Sequence, residues 1–172
     1  DYKKAMRFFE GFQTAFLMRT RALWKEGASF TGDVLYNFIR QWEYPYAWSN
    51  LGIDHGRVLD AGSGITFFPF LLATKGLEVE CCDSDGSLAP VFSEAAAMTG
   101  CKVGFTTCSI ANMPYPSESF DAVACISVLE HSAGARTRII SEIARVLRPG
   151  GRLVLTCDLC LSRDGDMVLE DL

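Results

Sequence analysis

RVLDAGSGITFFPFLLATKGLEVECCD, residues 57–83, is the stretch that decides the fold. Arg57-Val58-Leu59-Asp60 is short and apolar up to its final acid, as a buried strand would be. Asp60-Ala61-Gly62-Ser63-Gly64 follows as a turn, because two glycines let the backbone bend tightly and approach a ligand closely. Phe67 to Lys75 is apolar on nearly all sides and stops at Gly76, which predicts a buried helix. Leu77 to Cys82 reads as a second strand. Strand, glycine turn, helix and strand make one crossover unit, and such units build parallel sheets.

Working towards the C-terminus, the alternation continues. Leu88, Val91, Phe92, Ala95 and Ala96 recur at helical spacing before Gly100. Lys102 to Thr107 predicts a strand, and Phe120 to Ser127 a buried one. Ile139, Ile140, Ile143, Val146 and Leu147 mark a helix. Arg148-Pro149-Gly150-Gly151 reads as a turn before a strand over Arg152 to Cys157. Parallel strands are covered on both faces, which accounts for their nearly continuous apolar character.

Working towards the N-terminus, the composition changes. Residues 1–56 hold thirteen of the twenty aromatic side chains, and we place a boundary at His55-Gly56. Ala5, Phe9, Phe12, Phe16 and Leu23 predict one helix. Val34, Leu35, Phe38, Ile39 and Trp42 predict another, capped by Thr31 or Asp33. Tyr44-Pro45-Tyr46 should end it, since the residue before proline is pushed out of the α region. Tyr44, Tyr46 and Trp48 then fall in a loop and are assigned to a substrate pocket. Most of the other aromatics are assigned to packing.

The whole chain has 172 residues, of which 49% are hydrophobic and 22% charged, with a net charge of −5. That describes one ordinary domain with an appended helical segment and excludes a disordered tail. No apolar run is long enough to span a bilayer, and no stretch near the start has the form of a signal peptide. The acidic balance argues against a nucleic-acid module. Residues 1–30 carry six basic side chains against three acidic ones, which we read as a solvated helix face. Seven cysteines, an odd count, point to a reducing compartment and a cytoplasmic protein. Cys157-Asp158-Leu159-Cys160 has the spacing of a redox pair or of half a zinc site. His55 and His131 offer no finger-like spacing to complete such a site, so no metal is expected.

In such sheets a ligand binds beyond the carboxyl ends of the strands, where strand order reverses. The residues after each strand are therefore the candidates. Asp83 follows the second strand, twenty-three residues beyond Asp60, where a carboxylate can take both hydroxyls of a ribose. Capping of the next helix is the plainer alternative. Ser127-Val128-Leu129-Glu130-His131 follows the fourth strand, and Glu130 and His131 are assigned to the substrate pocket. A dinucleotide fingerprint fails, because G-x-G-x-x-G needs glycine where Phe67 stands.

Val58-Leu59-Asp60-Ala61-Gly62-Ser63-Gly64 resembles the glycine motif of class I S-adenosylmethionine-dependent methyltransferases, of the type 11-like kind. Cys82-Asp83-Ser84 is similar to that family's acidic second-strand end. Met113-Pro114-Tyr115-Pro116-Ser117-Glu118-Ser119-Phe120-Asp121 resembles its "LPF…sFD" segment, Leu129-Glu130-His131 its "LEH", and Arg145 to Gly151 its "RvLkPGG". The five occur in the right order and cover residues 57–157. The resemblance implies an α/β, Rossmann-like, doubly wound, mostly parallel sheet that binds S-adenosyl-L-methionine and releases S-adenosyl-L-homocysteine. It implies that Asp60, Ala61, Gly62, Ser63 and Gly64 hold the methionine part and that Asp83 holds the ribose. Ser84, Ser109 and Ile110 would sit at the adenine, and Ser127 near the methyl. His131 would be either a general base or a structural histidine opening the next helix.

Three departures stand beside the matches. Ser109 occupies the place of the family's adenine-binding aspartate and brings no charge. Thr66 replaces a frequent glycine and could cap the following helix instead. Class I enzymes also continue past the fifth strand with a helix and two further strands. The fifteen residues Asp158–Leu172 cannot supply these, so the tail is expected to begin a truncated region. The unfinished sheet edge then invites a homo-oligomer. The expected organisation is a helical lid at 1–56, a cofactor-binding core at 57–157 and a tail at 158–172. The expected activity is methyl transfer to a small molecule, the alternative being a non-catalytic module of the same fold that supports a partner.

Overall fold

The computed structural model describes residues 2–23 and 40–159. Among these, the elements run α1 (Tyr2–Thr20), α2 (Arg40–Asn50), β1 (Arg57–Ala61), α3 (Phe68–Ala73), β2 (Glu78–Asp83), α4 (Leu88–Thr99), β3 (Val103–Thr107), β4 (Phe120–Ile126), α5 (Arg136–Val146) and β5 (Leu147–Thr156). Short 3-10 turns follow α1 at Arg21–Leu23 and β4 at Leu129–His131. The strands form one sheet in the order β3-β2-β1-β4-β5. All its pairs are parallel, as the crossover pattern predicts. No described helix is long and apolar enough to cross a membrane.

Alternate residues of each strand serve opposite faces, because successive side chains point to opposite sides of a sheet. Val58, Ala122, Ala124 and Val154 join a core with α1, α2, α3 and α4. Leu59, Ala61, Val123 and Cys125 join a second core with α5 and Met113. Phe70 ties the first core together. Its ring lies 4.8 Å from Phe16 on α1 and stacks 5.8 Å from Phe92 on α4. Gly100 closes α4 in the left-handed conformation, where a side chain would be strained.

Two family-like segments prove to be a clamp at the amino ends of the strands. Arg145 donates to the carbonyls of Tyr115 (2.7 Å) and Met113 (3.0 Å), and Glu142 accepts the Met113 N–H at 3.0 Å. Arg145 also pairs with Glu142 at 2.9 Å, and this holds the Glu142 carboxyl down at about 2. Asp121 accepts the Arg57 N–H at 2.8 Å and pairs with Arg148. These charges tie β1, β4 and β5 together and fasten α5 to the loop before β4, far from the other ends of the strands.

The structure departs from expectation at several places. Tyr44-Pro45-Tyr46 does not end a helix: α2 runs through Pro45 to Asn50. Proline removes one backbone donor there, but Glu43, Tyr44 and Ala47 are buried along the same helix and their packing outweighs the loss. The helix predicted from Val34 to Ile39, with its Thr31 or Asp33 cap, lies outside the described residues. The turn at Arg148–Gly151 is absorbed into β5 as a bulge. Phe120 pairs with Leu147 but Ala122 with Arg152, and Gly150 loops out at φ 80°. Thr66 accepts the Phe68 N–H at 3.3 Å, but the cap position of α3 is Phe67, which makes no side-chain cap.

Phe70→Ala should lower unfolding free energy by about 3–5 kcal/mol in urea denaturation, because it opens a cavity between three helices. A loss under about 1 kcal/mol would mean that α1 is not packed as described.

Candidate active site

The carboxyl ends of β1, β2, β3 and β4 surround a crevice. After β1 the chain turns at Gly62 (φ 74°) and Gly64 (φ 51°). A Cβ on Gly62 would sit 2.7 Å from Val128, so the turn passes too close to the β4 loop for any side chain. The N–H groups of Gly62 and Ser63 donate to the Cys82 carbonyl at 2.8 and 3.1 Å. Asp83, at the end of β2, accepts the Gly64 N–H through Oδ2 and the Asp85 N–H through Oδ1, both at 3.0 Å. Its own carbonyl takes the Cys108 N–H at 2.8 Å and so fixes the loop after β3. In that loop the Ser109 hydroxyl accepts the Ala111 N–H at 3.3 Å.

Two cavities open here. The larger, about 400 Å³, is bordered by Asp83, Ser84, Ser109, Ile110, Val128 and Ile139 among others. The smaller, about 230 Å³, is bordered by Arg40, Tyr44, Asp60, Ser63, Gly64 and Thr66 among others. Gly62, Asp83, Ser127 and His131 border both. The two therefore form one bent site with its elbow at these four residues.

The smaller cavity is strongly charged. Asp60 is buried, and its carboxyl is pushed up to about 7, first by burial, against the pull of Arg40, and further by Asp83. Burial likewise pushes the Tyr44 hydroxyl well up, and that hydroxyl shares a hydrogen bond with Thr66. Ser127 is one of two non-glycine residues at positive φ (52°) among the described residues. Thr156 accepts its N–H through the carbonyl at 3.0 Å and through Oγ1 at 3.2 Å. Its hydroxyl donates to Glu43 at 2.7 Å. Glu43 is fully buried and also takes the Thr156 hydroxyl and the Arg40 guanidinium.

Most residues expected from sequence meet at this crevice, but not all. Ala61 faces the second core instead of either cavity. Glu130 is 3% exposed and turned away from both cavities. Its Oε1 accepts the Asp158 N–H at 3.3 Å, and its Oε2 has no partner among the described residues. Tyr44, Tyr46 and Trp48 lie on α2, not in a loop, and only Tyr44 borders the site. Tyr46 is exposed beside Trp42 at 6.2 Å. Trp48 packs on Phe8 and Phe9, with the Lys75 ammonium 3.6 Å above its ring. Arg40 and Glu43 were missed. Their spacing of three is a helical pairing signal, but it does not tell that the pair is buried against the end of β4. Cys160 lies outside the described residues, among which no group of three His, Cys, Asp or Glu could hold a metal.

A family model described as a methyltransferase domain matches residues 59–155. The chain is 33% identical over 118 residues to a demethylmenaquinone methyltransferase of Deinococcus radiodurans, covering 67% of this chain and 48% of that protein. It is 34% identical over 116 residues to a ubiquinone biosynthesis O-methyltransferase of Xanthomonas oryzae pv. oryzae, covering 64% and 46%. Among solved structures, a SAM-dependent methyltransferase from Methanosarcina mazei superposes with a TM-score of 0.55 at 29% identity, covering 64% of this chain and 55% of that one. The chain spans about half the length of the curated relatives it matches. With the glycine turn, the Asp83 strand end and the 3-2-1-4-5 sheet all in place, the chain belongs to the class I S-adenosylmethionine-dependent methyltransferase family.

Proposed function

We propose that this chain carries the cofactor site of an enzyme that methylates a small-molecule acceptor. The observation that carries this is the bent site itself, two cavities meeting at Gly62, Asp83, Ser127 and His131. S-adenosylmethionine has a flat heterocycle, a diol and a cationic amino-acid tail, and the lining fits each. Ile110 and Ile139 offer an apolar slot in the larger cavity, with Ser84 and Ser109 beside it. Asp83 is held at the elbow by two backbone N–H groups and presents its carboxylate to a diol. Asp60 offers a carboxylate to an ammonium in the smaller cavity, beside Ser63 and Gly64. When bound, the sulfonium supplies an electrophilic methyl group, so the chain has mainly to align the acceptor and exclude water.

Helix α2 brings Arg40 and Tyr44 to the smaller cavity, which favours a role for the N-terminal segment in covering the site. His131 borders both cavities beside Ser127 and is our candidate base for an acceptor that must lose a proton. The names of the relatives make quinone precursors the first acceptors to assay. A second reading, a non-catalytic module that binds the cofactor and supports a partner, is favoured by Ser109, which brings no charge to the adenine end. Retained affinity for S-adenosylhomocysteine without turnover of any acceptor would select it.

Three outcomes test the proposal. Calorimetric titration should show S-adenosylhomocysteine binding, weakened at least about tenfold by Asp83→Ala. No binding by a folded chain would sink the proposal. The second concerns pH. Asp60 is protonated in the folded protein below about 7. A ligand ammonium favours its charged form, so affinity should rise with pH up to about 7 and then level off. Below that it should fall by up to about tenfold per pH unit, and Asp60→Asn should flatten the profile. The same raised pKa makes the buried carboxylate a cost to folding that is absent below about pH 4 and complete above about pH 7. Asp60→Asn should therefore raise the melting temperature at pH 8 but not at pH 4. Third, His131→Ala should lower kcat by about 100-fold or more while leaving S-adenosylhomocysteine affinity nearly unchanged. An unchanged kcat would assign His131 to structure.

A further inference from the structure

We infer that the outer face of α1 docks on an anionic lipid surface, with the helix lying in the plane of the headgroups. This goes beyond the reaction proposed above and does not depend on it. The inner face of α1, with Phe9 and Phe16, belongs to the first core. The outer face is not the plain polar surface that the cations of residues 1–30 suggest. Phe8, Gly11, Ala15, Met18 and Ala22 follow one another at helical spacing along it, and all five are exposed. Phe8 is 49% exposed and Met18 71%. A Cβ on Gly11 would meet nothing within 4 Å, so the middle of this apolar strip is bare. Beside Phe8 the strip reaches Trp48, whose ring lies 5.8 Å away. Tryptophan is a residue type that settles at headgroup level.

Cations border the strip. At 3.6 residues per turn Arg7 and Arg21 fall on one flank, Arg19 on the other and Lys4 at its head. All four are exposed, and none makes an ion pair among the described residues. Glu10 is the only acid in α1. The whole chain carries a net charge of −5, so an anionic surface draws in this face and repels the rest. Charge also decides between occupants. A second copy of α1 laid antiparallel, with Phe8 on Met18 and Gly11 on Ala15, sets Arg7 against Arg19. Laid parallel, it sets each arginine against itself, and like charges across an interface are costly. A polynucleotide would satisfy the cations but leave Phe8 and Met18 in water. A lipid surface meets both needs, because the strip sinks to the acyl boundary while the long cationic side chains reach the phosphates. The helix lies on such a surface and does not cross it.

The test is co-sedimentation of the whole chain with vesicles of phosphatidylcholine alone and of phosphatidylcholine mixed with phosphatidylglycerol. The wild type should sediment with the anionic vesicles and not with the neutral ones. Raising salt from about 0.1 M to about 1 M, which shortens the screening length from about 10 Å to about 3 Å, should release it. Each cation at an anionic surface is worth about fivefold, so replacing Arg7, Arg19 and Arg21 together by Gln should weaken partitioning about a hundredfold. Met18→Ser changes no charge and should weaken it about tenfold. All these side chains are exposed, so unchanged melting temperatures should show an intact fold. No sedimentation with anionic vesicles overturns the inference, as does sedimentation that both variants retain. Loss in the arginine variant alone, with Met18→Ser like the wild type, makes the face a site for a soluble polyanion and also overturns it. So does a chain that ignores vesicles but forms a dimer in ultracentrifugation that Met18→Ser breaks, which gives the face to a second copy.

Discussion

Two adjacent parallel strands that send their chains to opposite faces of a sheet leave a gap at their carboxyl ends. β1 and β4 are such a pair. They hydrogen-bond side by side from Val58↔Ala122 to Asp60↔Ala124. Beyond that the Gly62 turn leads to α3 in one core, and the Ser127 turn leads towards α5 in the other. No side chain from either element can fill the opening, so it stays as a crevice. Of the four residues at the junction of the two cavities, Gly62 and Ser127 come from the first turns after these two strands.

The local backbone is shaped to keep that gap narrow and fixed. Gly62 passes against Val128 where no Cβ would fit. Ser127 accepts a left-handed conformation that costs of order 1–3 kcal/mol for a residue with a side chain. The compensating bonds come from Thr156 at the end of β5 and from Glu43 on α2. Glu43 is buried with its charge paired and its oxygens hydrogen-bonded, the condition under which a carboxylate is tolerated in a core. α2 therefore does more than cover the sheet. It sets the elbow of the site and brings a cation to a cavity otherwise governed by Asp60 and Asp83.

The family-like segments divide into two groups by position. Those at the carboxyl ends, Asp60 to Gly64, Cys82 to Ser84 and Leu129 to His131, surround the crevice or buttress it. Those at the amino ends, Met113 to Asp121 and Arg145 to Gly151, build the clamp of Arg145, Glu142, Asp121 and Arg148. Their charges serve the joint of β1, β4 and β5 and the seat of α5 on the loop before β4, not a ligand. Within the Leu129–His131 turn the two polar residues also part company. His131 faces the cavities, whereas Glu130 is folded beneath the turn. A motif placed at a strand end does not by itself tell which of its side chains points outward.

The elements and their order were legible because apolar runs, glycine turns and helical spacing are local signals, and parallel crossover units follow from their alternation. Asp60, Gly62, Asp83 and Ser127 could be picked from the chain because in such a sheet the site must follow the strands. Helix α2 was not legible. The local rule at Pro45 is real, but burial of Glu43, Tyr44 and Ala47 overrides it, and burial is a property of the assembled cores. The same override removed Tyr46 and Trp48 from the pocket expected of them. Arg40 and Glu43 reach the site across more than eighty residues of sequence, as the bond from Ser127 to Glu43 shows. Sequence alone determined the sheet and the turns that frame its crevice, since those depend on neighbours in the chain. Which distant charges meet inside that crevice was decided only by the packing of α2 against the ends of β4 and β5.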